Sequence, residues 1–168
     1  MGLFRTVVLT TGVAGTLDIL SAFAFGGIAG RLPSAVLVSV AAGPLGGRAS
    51  EVGTLGPIIG LAVHFAMMAI MVAAFALAAR ALPGLSRHPI AAGLVYGLML
   101  YGVMYWVVLP MRWPSAFPQT GWWEVANALF SHLVCVGLPI GLLVSASATV
   151  RDAAGDTGPG ASRAARGV

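Results

Sequence analysis

Four long apolar runs separated by short polar breaks dominate the chain, at residues 6–30, 57–79, 89–111 and 125–149. About 20 helical residues cross the hydrocarbon core of a bilayer, so each run is long enough to span it. Lipid forces every backbone group to pair internally, and the alternation expected of a membrane β-barrel is missing, so the runs predict helices. Pro57 and Pro89 sit near the starts of their runs, where a missing N–H costs little. Pro110 closes the third run, and Pro139 lies inside the fourth, where a kink is expected.

The stretch between the first two runs differs. Its apolar centre, residues 34–42, would reach only about 14 Å as a helix, too short to cross. Pro33 and Ser34 can start such a helix and Gly43-Pro44 can end it, which predicts an interfacial or re-entrant element followed by a glycine-rich loop. A phosphate cradle is not supported, because no Lys-Ser/Thr pair follows those glycines. From Arg151 the Gly/Ala/Ser/Asp/Arg composition loses all periodicity, and residues 151–168 read as a disordered tail. Residues 1–150 thus form one all-α, four-helix transmembrane domain, a bundle with one short extra helix.

Composition agrees. Apolar residues make up 58% of the chain and charged residues 8%, against about 25% charged in ordinary soluble domains. A soluble enzyme and a disordered protein are both disfavoured. The nine cationic residues are all arginines and stand singly, without the clustered stripe that nucleic acid requires. The partner implied is the lipid bilayer. Cys135 is the sole cysteine, which excludes an internal disulfide and a multi-cysteine metal site. Met1-Gly2 fits a myristoylation pattern by letter, but the lysine-free, Ala/Gly/Arg-rich composition reads as bacterial. Ala22-Phe23-Ala24 resembles a signal-peptidase site, yet Asp18 interrupts the apolar stretch before it, so an uncleaved first span is expected.

With four spans, Arg5, Arg80, Arg87, Arg151, Arg163 and Arg166 share one side, and Arg31, Arg48 and Arg112 the other. The positive-inside rule then places both termini in the cytoplasm. Trp113, Trp122 and Trp123 fall at the opposite ends of the spans as interfacial anchors.

Few side chains inside the spans carry chemistry. Asp18 is the only formal charge there, joined by His64, His132, Tyr101 and Tyr105. Counted from the tryptophan-bearing ends, all five lie roughly 8–14 Å deep. Each follows a stripe of small residues, which marks the side of a helix that faces other helices. Gly26/Gly30, Gly56/Gly60, Gly93/Gly97 and Gly137/Gly141 keep four-residue spacings for close approach, within the chain or toward a second copy or membrane partner. The buried Asp/His/Tyr set can serve as interhelical glue or as a proton or ion relay. Asp18, His64 and His132 also make a two-His, one-carboxylate set suited to a transition metal, and His64 with His132 could ligate haem b. No resident cofactor is the leading expectation. Met67, Met68 and Met71 read as packing, and no nucleophile set has a persuasive context, so a non-enzymatic role leads.

Ala14-Gly15-Thr16-Leu17-Asp18, Leu61 to Phe65, Val107-Val108-Leu109-Pro110, and His132 with Val136-Gly137-Leu138-Pro139-Ile140 resemble motifs of bacterial four-span inner-membrane proteins that have no assigned reaction. The resemblance covers about residues 6–146. It implies an inner-membrane location with the Asp and both His inside spans, and it leaves function open. Arg48–Thr54 and Trp122-Trp123 depart from the pattern.

Overall fold

In the computed structural model, residues 2–156 are described, with side chains through residue 148. The described residues contain no strand. The helices are α1 (Leu3–Ile28), α2 (Pro33–Leu45), α3 (Leu55–Ala81), α4 (Pro83–Arg87), α5 (Pro89–Val103), α6 (Leu109–Arg112), α7 (Trp122–Phe130) and α8 (Leu138–Asp156). Two π-helical segments, Met104–Val108 and Ser131–Gly137, join α5 to α6 and α7 to α8. Four continuous helices are therefore long and apolar enough to cross a membrane: Leu3–Ile28, Leu55–Ala81, Pro89–Arg112 and Trp122–Ala148.

The wide turns have a physical cause. A proline lacks an N–H and its ring collides with the carbonyl four residues earlier. Each π segment ends two residues before a proline, Pro110 or Pro139, and a local π adjustment is one way a membrane helix absorbs that defect. The helix beyond Pro139 runs on to Asp156 rather than ending near residue 149. Residues 157–168 of the expected tail lie outside the described residues.

The short helix between the first two spans is longer than its apolar centre, reaching from Pro33 to Leu45 with Pro44 accommodated in its last turn. At about 20 Å it still cannot cross the core. It packs along α3, where Gly60 lies so close to the Leu37 backbone that a Cβ would collide with it. Arg112 donates from Nε to the Gly43 carbonyl at 3.3 Å, a favourable position for a cation at the C-terminal end of a helix.

The tightest seam joins the third and fourth spans. Gly93 and Gly97 of α5 face Gly137 and Gly141, and a Cβ on Gly137 would sit 2.8 Å from the Gly97 Cα. Small residues let helix backbones meet in this way. These two glycine pairs are thus used inside the chain, and Gly56/Gly60 is used against α2. Outward faces are apolar: Ile70 is 70% and Val95 69% exposed, as lipid contact requires. The interior layer toward the termini is built on Ala14, Met68, Val72, Phe75, Leu100, Val136, Ile140 and Val144.

Candidate functional site

Asp18 stands on α1 and His64 on α3, and the structure brings them together. His64 Nδ1 lies 3.9 Å from Asp18 Oδ2, with the two side chains 10% and 21% exposed. His64 Nε2 lies 2.9 Å from the Gly15 carbonyl. A carbonyl only accepts, so Nε2 carries the proton and donates. The nitrogen left to face the carboxylate is Nδ1. Gly15 makes this approach workable, because a Cβ there would stand 2.6 Å from the Phe65 ring.

The other carboxylate oxygen is held from the fourth span. Ser131 donates to Asp18 Oδ1 at 2.9 Å and lies 3.3 Å from the Ser21 hydroxyl. One hydroxyl proton cannot serve both, so Ser21 donates to Ser131. The Cys135 thiol lies beside Ser21 and is buried.

His132, next in sequence to Ser131, hydrogen-bonds within its own helix rather than to Asp18. Its Nδ1 donates to the Ala128 carbonyl at 3.0 Å, and its ring stands edge-on to Tyr101 and Tyr105 at 6.2 and 5.6 Å. The two tyrosines stack at 5.2 Å, and Tyr105 reaches Phe117, in the loop between the third and fourth spans, at 5.8 Å. The five side chains picked out by sequence therefore fall into two adjacent groups, Asp18–His64 and His132–Tyr101–Tyr105, with Ser131 at their junction. The Asp18 charge still lies within electrostatic reach of His132, Tyr105 and Cys135.

Among the described residues, no three His, Cys, Asp or Glu side chains gather in a set able to hold a metal ion. Asp18, His64 and His132 do not form such a set, since His132 packs with the tyrosines rather than with the Asp18–His64 pair. Of the two His64 nitrogens, one is held by Gly15 and the other faces Asp18.

Sequence reasoning missed Ser21 and Ser131. Their only signal was helical position, since Ser21 follows Asp18 by three residues and Ser131 precedes His132. It also missed Tyr96, whose hydroxyl donates to the Met71 carbonyl at 2.7 Å and ties α5 to α3.

No family model, no curated relative and no solved structure matches the chain.

Proposed function

We propose that this chain is a multi-pass protein of a bacterial inner membrane, with both termini in the cytoplasm, whose Asp18–His64 pair binds and releases a proton. Its role is then proton- or ion-linked, in transport or in a membrane assembly, and non-enzymatic. The observation that carries this reading is the His64 geometry: Gly15 holds Nε2–H, which leaves Nδ1 and Asp18 Oδ2, 3.9 Å apart, as the two sites open to a further proton. In an apolar setting a lone charge is disfavoured. The pair is neutral overall when it holds that proton, whether on carboxyl or imidazole, and it becomes an anion when the proton leaves.

The test is proton uptake by the purified chain in detergent after an acid step, read with an indicator dye. Wild type should take up about one proton more than Asp18→Asn, which keeps the shape and removes the titrating carboxylate. Identical uptake by the two proteins would defeat the reading.

A second reading, a metal or haem protein, draws on one observation. Each imidazole commits one nitrogen to a backbone carbonyl, Gly15 or Ala128, as metal-binding histidines often do. Visible absorption or stoichiometric metal in the purified protein, lost in His132→Gln, would favour it.

A further inference from the structure

The two ends of the bundle offer the Asp18–His64 pair unequal access. Asp18 lies ten residues before the end of α1 at Ile28 and fifteen after its start at Leu3, or about 15 Å from one end and 22 Å from the other. His64 lies nine residues from Leu55 and seventeen from Ala81. The pair is therefore in the half of the bundle that carries the tryptophans.

The side chains hydrogen-bonded to the pair lead in that direction. Ser131 touches Asp18, and Ser21 touches Ser131. His132 follows Ser131 directly and meets Tyr105, whose ring contacts Phe117 in the loop at the tryptophan end. With Nδ1 bound to Ala128, His132 has Nε2 left to accept and pass a proton.

The opposite direction is closed by an apolar layer. Ala14, Val72 and Ile140 are 0% exposed and Phe75 is 2%, and together with Met68, Leu100, Val136 and Val144 they close the section below the pair. Three hydroxyls of α1 lie on this side, Thr6, Thr10 and Thr11, all buried, together with Ser145 of α8. Thr11 Oγ1 meets no partner, so no hydrogen-bonded chain runs through it. A cavity of about 20 Å³ at the arginine-bearing end, lined by Thr6, Arg80, Ser86 and Ser147, ends against Ala76 and Val144 of the same apolar layer. That volume holds one water.

The titratable groups facing the pair are accordingly few. Tyr105 faces it from the third span with Tyr101 behind, and His132 and Cys135 face it from the fourth. From α1 and α3 there is only the pair itself. Of the three arginines described at that end, Arg31 and Arg112 are bound to α2 through Ser39 and Gly43, and Arg48 lies in the turn after α2.

We infer that the pair exchanges its proton with the compartment at the tryptophan-bearing end, by way of Ser131 and His132, and is insulated from the arginine-bearing end. This rests on the pair being a proton site, as proposed above, and adds which side sets its state.

The experiment uses the full chain in liposomes of uniform orientation. The Asp18 carboxyl band is followed by infrared difference spectroscopy while pH is changed on one side only, and the band is assigned by its loss in Asp18→Asn. The expected result is a response to pH at the tryptophan side and none to pH at the arginine side. His132→Phe, which keeps a ring against the tyrosines, should slow that response by about tenfold or more. A response from the arginine side, or an unslowed His132→Phe, would overturn the inference while leaving the proton site standing. A band insensitive to pH from either side would overturn the proton site as well.

Discussion

A single backbone carbonyl, that of Gly15, decides how His64 is used. By taking Nε2–H it leaves Nδ1 for Asp18, and the two positions then have different mutational signatures. Asp18→Asn retains a group that can accept from Ser131 and donate to Nδ1, so we expect a stability change within about 1 kcal/mol together with loss of proton uptake. His64→Phe leaves a carboxylate oxygen unpaired among apolar helices and should cost about 1–3 kcal/mol. The double variant should recover part of that cost, because removing both partners is cheaper than removing one. Thermal unfolding in detergent checks all three, and equal losses for the two single variants would count against the pairing. Thr11 makes the opposite case: its hydroxyl is buried without a partner, so Thr11→Val should be neutral or raise stability by up to about 1 kcal/mol. Asp18 and His64 were legible in the sequence because an ionisable group inside an apolar run stands out. Ser21 and Ser131 were not, since serine is an ordinary constituent of membrane helices and its role appears only once the helices are placed side by side.

The helices were legible for a different reason: a run that must cross about 30 Å of hydrocarbon announces itself by length. Their ends drifted by a few residues, since helices continue into the interface where composition is already mixed; α1 begins at Leu3 and the fourth span at Trp122. Neither π segment was readable, because a widened turn changes backbone pairing without changing the apolar pattern. The proline that accompanies each segment predicted a kink and not its form. The four-residue glycine spacings were visible, but their partners were not, and the structure pairs Gly93/Gly97 with Gly137/Gly141. That pairing supports a prediction at the level of the seam. Gly97→Ala would place a Cβ 3.0 Å from the Leu133 Cα, with no flexible side chain to give way. It should cost about 1–3 kcal/mol, in the range of overpacked interiors. Gly102→Ala, five residues along and with nothing within 4 Å of its Cβ, should instead be neutral or gain up to about 1 kcal/mol from helix propensity. The two thermal midpoints, measured side by side, should therefore move in opposite directions or differ clearly. Equal shifts would mean that the glycine seam does not hold these spans together.

For the molecule as a whole, sidedness connects the site to its surroundings. The helix ends carrying Arg5, Arg80 and Arg87 face the apolar layer, and those carrying Trp113, Trp122 and Trp123 face the polar one. Among arginines with described side chains the two ends are balanced, Arg5, Arg80 and Arg87 against Arg31, Arg48 and Arg112. They are not equivalent, however. Arg31 and Arg112 hydrogen-bond to α2, which makes them part of the packing of that short helix, whereas Arg80 and Arg87 sit at helix ends without an ion pair among the described residues. The sequence adds Arg151, Arg163 and Arg166 to the side of the termini. Orientation is set mainly by arginines close to span ends, and on that basis the tryptophan-bearing end should face away from the cytoplasm. A reporter fused after Val168 should then be active only as a cytoplasmic fusion, and one inserted near Gln119 only as a periplasmic one. The reverse pattern would invert the molecule and put the proton site in contact with the cytoplasm. A matching signal from both positions would mean that the helix between them, Trp122–Ala148, does not cross. Under the expected pattern, Asp18 and His64 take their protonation from the periplasmic face, so external acidification should alter the pair while the cytoplasmic half of the bundle keeps its packing.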